Sequence, residues 1–158
     1  MYLTKTPGPH DKPRVKINKP SKRKFMQIII SKLSLRNFKG IRDLDVTFGE
    51  ITNVAGANAT GKTTLKDAFL WLLFGKDSTG RSDFQIKTLD ANNEPLHHLD
   101  HEVTGLINFG SESILLRKIY REKWTKVKGR PHAEFSGHTT EFFWNDVPMK
   151  EKDYQAAI

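Results

Sequence analysis

The chain has 158 residues, enough for one domain with its own core, and no cysteine, which excludes a disulfide framework and any cysteine-based zinc site. The longest apolar run, Ala68–Phe74, is far too short to span a bilayer, and the basic N-terminus lacks the apolar stretch of a secretory signal. The formal net charge of +8 is concentrated at one end: residues 1–26 hold eight Lys/Arg and one acid, which leaves the remaining 132 residues at +1.

Residues 1–25 are rich in Pro, Lys and polar side chains and cannot bury enough apolar surface to offset their ordering entropy. They read as a disordered basic leader, either an arm for nucleic acid or a solvated tail with no specific task. Met26 stands directly before the first strand and offers an alternative translation start. The folded unit is expected over 26–158.

Residues 27–38 begin β-branched and then alternate, with Leu33, Leu35 and Phe38 on one face and Ile30, Lys32, Ser34 and Arg36 on the other. That period predicts a half-buried strand. Lys39-Gly40 is a turn, and Leu44, Val46 and Phe48 alternate in a second strand. A third strand is predicted over 51–55.

Gly56-Ala57-Asn58-Ala59-Thr60-Gly61-Lys62-Thr63-Thr64 follows. It fits G-x-x-x-x-G-K-[ST], the phosphate-binding loop. Its glycines let the backbone curl so that successive N–H groups face phosphate oxygens. Lys62 supplies an ammonium for the β/γ-phosphates and Thr63 a hydroxyl for Mg²⁺. A helix is predicted over 62–74, with Thr60 as N-cap and Gly75 as its stop. Leu65, Ala68 and Phe69 mark its apolar side, and Lys66 and Asp67 its polar side. Residues 69–74 are apolar all round, so this half needs cover on more than one side.

Residues 77–83 form a polar loop, 84–89 alternate as a short strand, and 90–100 are turn-rich. Strands follow at 101–109, with Val103, Gly105, Ile107 and Phe109 on one face, and at 113–120. A basic strand and turn runs over 117–130. A strand at 140–144 and a turn at Asn145-Asp146 lead to a helix opening after Pro148. That helix stops in mid-pattern at Ile158, which suggests a piece of a longer protein.

Two clusters compete with bland alternatives. His97, His98 and His101, with Asp100 and Glu102, form a metal-ligand set only if a fold gathers them, and a solvated loop explains them more simply. The basic run 117–130 contains Tyr120 and Trp124. Such a mixture suits single-stranded nucleic acid, but on an exposed strand edge the same charges serve only to prevent aggregation. Hydrolysis also needs an acid on Mg²⁺ and a group that positions water. No apolar run followed by Asp or Glu occurs after the helix, so the sequence predicts binding of a nucleotide without turnover. No Asn-Lys-x-Asp guanine-reading motif is present.

The strand end Leu35-Arg36-Asn37-Phe38-Lys39-Gly40-Ile41, about twenty residues before the loop, and the loop running into Leu65-Lys66-Asp67-Ala68-Phe69 together resemble the N-terminal half of the SMC/SbcC/RecF/RecN group of ABC-type ATPases, which act on DNA ends and chromosomes. The resemblance implies an α/β P-loop fold: an ABC-type N-terminal lobe with an antiparallel sheet around a phosphate loop and central helix, incomplete without a second half. It implies ATP and Mg²⁺ as cofactors. Gly56, Ala57, Asn58, Ala59, Thr60 and Gly61 would wrap the phosphates, Lys62 would act on the β/γ-phosphates, Thr63 would hold Mg²⁺ and Thr64 would assist. Arg36 and Asn37 would lie near the nucleotide. The implied partners are the missing C-terminal half with its Walker B acids, a second head in a head-to-head homodimer, DNA and a nuclease subunit, in the cytoplasm and at the nucleoid if bacterial. The implied role is double-strand break repair, recombination or chromosome maintenance. The alternative is a non-enzymatic nucleic-acid-binding or regulatory fragment whose loop is structural or vestigial.

Overall fold

The computed structural model describes residues 28–56 and 61–158. The leader at 1–25 and residues 57–60 of the phosphate loop, including the predicted Thr60 cap, lie outside the described residues.

A six-stranded antiparallel sheet in the order β2-β1-β3-β4-β5-β6 carries one long helix. Its strands are β1 (Ile28–Phe38), β2 (Ile41–Thr47), β3 (His101–Phe109), β4 (Glu112–Lys126), β5 (Ala133–Trp144) and β6 (Val147–Met149). The helices are α1 (Lys62–Phe74) and α2 (Glu151–Ala157). Alternation sets the faces. In β3, His101, Val103, Gly105, Ile107 and Phe109 are buried and their neighbours half-buried. Leu33, Leu35 and Phe38 of β1 are fully buried as predicted. Leu65, Ala68, Trp71 and Leu72 of α1 complete the same core. Phe38 and Trp71 meet with ring centroids 5.5 Å apart.

Gly105 is what lets the helix lie so close. A Cβ there would fall 2.6 Å from Cδ2 of Leu72, itself fully buried. The other end of the helix is finished with similar economy. Gly75 adopts φ 68° and donates its amide to Trp71 O at 3.0 Å. Lys118 Nζ donates to the same carbonyl at 2.7 Å, and Tyr154 OH donates to Leu72 O at 3.1 Å. Orphan carbonyls of the last turn are thereby satisfied inside the core. The Lys118 ammonium also lies 5.1–5.7 Å from the ring centres of Trp71, Phe142 and Tyr154.

Several sequence expectations need correction. The strand predicted over 51–55 is absent: the segment has no ladder partner, Ile51 is 86% exposed and Val54 is exposed. A strand-like composition alone does not make a strand when no neighbour accepts its hydrogen bonds. Residues 84–89 also form no strand; Ile86, Lys87 and Thr88 are buried consecutively, and Leu89 makes a lone bridge to Pro95. Asp67, placed on the polar side of α1, is 2% exposed because it takes Lys39 and the Ser78 amide as partners. Phe74, expected to be covered, is exposed. Strand β5 is longer than predicted, beginning at Ala133 rather than 140, and its pairing with β4 carries a bulge between Lys123 and Trp124. Conversely, α1, β3 and the Asn145-Asp146 turn (both residues at positive φ) fall where predicted.

Two outcomes follow from this core. Gly105→Ala forces Leu72 to move and is expected to cost about 1–3 kcal/mol, read as a lowered denaturant midpoint. Burial pushes the Lys118 ammonium down to about 8 from 10.5, against a smaller opposing pull from Glu151. The unfolded chain therefore binds more protons across that window, and stability should rise from about pH 8 toward pH 10 by roughly 2 kcal/mol. Above that range Tyr154, whose pKa burial raises, opposes the trend. Denaturation between about pH 7 and pH 10 should show the rise in the native chain and its absence in Lys118→Met.

Candidate functional site

The N-terminus of α1 is built unlike its C-terminus. Gly61 occupies the cap position at φ 92°, with no side-chain cap hydrogen bond, and the first turn holds no acidic residue. The first internal bond is Leu65 N–H to Gly61 O at 2.9 Å, so the amides of Lys62, Thr63 and Thr64 precede the helical ladder. These N–H groups and the helix dipole favour an anion. Thr63 is exposed and Thr64 half-buried. Lys62 Nζ donates to Gly56 O at 2.5 Å and so spans the two described ends of the phosphate loop. Of the other loop residues, Ala57, Asn58, Ala59 and Thr60 lie outside the described residues.

Gly61 is hemmed in from the sheet side. A Cβ there would approach Ile41 Cδ1 to 3.3 Å. Ile41 opens β2 just after the β1–β2 turn, so this turn touches the exit of the phosphate loop. Asn37 sits in the turn at φ 51° and donates Nδ2 to Asp100 O at 3.1 Å. Arg36 is held elsewhere: it pairs with Asp43 at 2.8 Å and Asp45 at 3.1 Å and donates to Leu35 O. Bonds from Lys32, Ser34 and Arg36 lower the Asp45 carboxyl to about 2.

The histidine cluster separates into three different environments. His101 is fully buried in β3, and Nδ1–H donates to Asn37 O at 2.6 Å. Burial keeps it below the usual histidine range, and its Nε2 has no hydrogen-bond partner among the described residues. His97 Nδ1 lies 2.7 Å from Glu122, while His98 stacks on Trp124 at 4.4 Å. Among the described residues, no three His, Cys, Asp or Glu side chains gather to hold a metal ion. The solvated-loop expectation fits His97 and His98, which are exposed, and is corrected for His101, which is buried in β3.

Glu122 was not legible as special in the sequence. Its side chain is 3% exposed and accepts bonds from Lys87, the His98 amide and Trp124 Nε1. Burial opposes its ionisation, but these donors outweigh burial and hold the carboxyl well below the usual range. The basic run beyond it forms a ribbon. Strand β3 ends opposite Tyr120, so β4 residues 121–126 are paired only with β5. The edge expectation therefore holds for this part of the basic run and fails for 117–120, which pair with both β3 and β5. Trp124, Val127 and Phe135 are exposed on the ribbon, and Lys123, Lys126 and Lys128 form no ion pair among the described residues.

Among the described residues no helix is long and apolar enough to cross a membrane. A family model described as an AAA domain matches residues 32–146. No curated protein matches the chain. A solved structure of the recombination mediator protein RecF with ATP, in the RecFOR pathway, is similar with a TM-score of 0.51 and 18% identity. The match covers 80% of this chain and 30% of that one, so the likeness concerns fold and only part of the larger protein. With the antiparallel sheet, the central helix and the loop preceding it, these matches place the chain in the AAA domain family, with the fold of the N-terminal half of an ABC-type ATPase head.

Proposed function

We propose that residues 26–158 bind ATP as the Walker A half of an ATPase head that works in DNA repair, recombination or chromosome maintenance, and that residues 1–25 are a separate basic leader. One observation carries the nucleotide part: α1 begins at a glycine with no side-chain cap and no acid in its first turn, directly after a Gly56–Gly61 loop that Lys62 bridges. A helix start left this way favours phosphate. The family membership and the RecF–ATP likeness support the same reading.

Within it, the amides from Gly56 through Thr64, including Ala57, Asn58, Ala59, Thr60 and Gly61, wrap the phosphates. Lys62 exchanges the Gly56 carbonyl for the β/γ-phosphates, Thr63 ligates Mg²⁺ and Thr64 adds a hydroxyl. Bound Mg²⁺ would supply charge neutralisation between the terminal phosphates. Asn37 borders the loop exit through its turn, whereas an Arg36 contribution requires it to leave Asp43 and Asp45. Turnover awaits a second half that brings the Mg²⁺-binding acid and the water-positioning group. A second head, DNA and a nuclease subunit are partners of that assembled state, in the cytoplasm and at the nucleoid of a bacterium.

The alternative, a non-enzymatic nucleic-acid-binding or regulatory fragment, draws on the β4–β5 ribbon with its exposed rings and with Lys123, Lys126 and Lys128, which form no ion pair among the described residues. Calorimetric titration and salt-dependent DNA retention separate the two. Mg-ATP binding that falls at least tenfold in Lys62→Ala and is unaltered when Lys123, Lys126 and Lys128 become Ala supports the nucleotide reading. No ATP binding, with single-stranded DNA retention lost in the triple variant, favours the alternative.

A further inference from the structure

The β1–β2 turn is an unusual piece of backbone. Asn37 and Lys39 both take left-handed φ values, 51° and 47°, and Gly40 follows at 86°. Non-glycine residues hold such angles only where surrounding contacts over-determine them. Here the contacts come from three directions. His101 and Thr88 both donate to Asn37 O, at 2.6 and 3.0 Å. Lys39 N–H donates to Ile86 O at 2.9 Å, and Gly40 N–H to Thr88 Oγ1 at 3.3 Å. The third is the Lys39 side chain, whose Nζ meets Asp67 Oδ2 at 2.5 Å.

Asp67 lies on α1 five residues after Lys62, about 7.5 Å along the axis. Its other oxygen accepts the Ser78 amide at 2.8 Å, and its side chain is 3% exposed. Core packing already attaches α1 to the sheet through Leu65, Ala68 and Leu72. A buried ion pair adds little net stability over an apolar pair of similar shape, but it has directional demands that an apolar contact lacks. This one joins the strained turn to the helix that leaves the phosphate loop. The same turn leads into Ile41, whose Cδ1 lies 3.3 Å from where a Cβ on Gly61 would stand, so the turn borders Gly61.

We infer that Lys39 and Asp67 are positioning residues of the phosphate loop: their ion pair fixes the β1–β2 turn against α1 and so sets where Gly61 and the first turn of the helix stand. The consequence for nucleotide affinity rests on the ATP-binding reading above; the consequence for the loop exit does not. Lys39 is part-exposed, so its removal leaves the hydrophobic core intact.

Residue-resolved amide exchange in the nucleotide-free chain, paired with Mg-ATP titration, tests this. In Lys39→Met, exchange at Lys39, Leu65 and Lys66 should speed up about tenfold or more, with Val103 and Ile107 of β3 unchanged. Asp67→Asn, which keeps an acceptor for the Ser78 amide, should show a smaller effect at the same amides. Lys39→Arg should restore native exchange. ATP affinity should fall about tenfold in Lys39→Met and recover in Lys39→Arg. Unchanged exchange at Leu65 and Lys66, or acceleration that spreads equally to β3, overturns the positioning role. Failure of the native chain to bind ATP, with the local exchange effect present, sinks the nucleotide reading alone and leaves the clamp standing.

Discussion

Helix α1 is fastened by its last carbonyls and left open at its first amides. Lys118 and Tyr154 reach from β4 and α2 to Trp71 O and Leu72 O, deep in the core. Gly61, at the cap position of its start, has no side chain to do the same service. The rest of the chain follows from that asymmetry. The sheet supplies a flat apolar bed, Gly105 lets the helix settle onto it, and β4 and α2 supply the groups that close its far end. What is left over is an electropositive helix start, at the exit of a glycine-bounded loop, with no acidic residue in its first turn.

The surroundings of that start are only half furnished. The β1–β2 turn, steadied by His101, Thr88 and Asp67, forms a firm wall on one side. On the other, the segment leading into the loop has no strand partner, with Ile51 and Val54 exposed. Phe74 is similarly uncovered at the far end of α1. The match to 30% of the RecF chain agrees with a structure that is a portion of a larger architecture.

Much of this was legible in the sequence because it rests on local rules. Period-two alternation placed β3 and the buried face of β1, and a glycine past an apolar run ended α1. The stretch Gly56–Thr64 stood out because the phosphate-loop pattern it fits demands fixed residue types at fixed spacing. The failures have a common cause. Residues 51–55 are a short strand-like run and 84–89 alternate like a strand, yet strand formation depends on a partner that local pattern does not report. Asp67, Lys118, Glu122 and His101 look like surface residues by type, but each is buried because distant segments satisfy it. Lys39 finds Asp67 across 28 positions, and Glu122 finds Lys87 across 35. Arg36 shows the limit of motif reasoning from the other side, since β2 supplies two carboxylates that the motif did not include.

The central claim is that the open start of α1 is a phosphate site. Amide chemical-shift mapping tests it at the atoms concerned. Mg-ATP and inorganic tripolyphosphate should both shift the amides of Gly61, Lys62, Thr63 and Thr64 to saturation, and AMP should shift them little. Shifts confined to the β4–β5 ribbon, or equal shifts with AMP and ATP, would contradict the account.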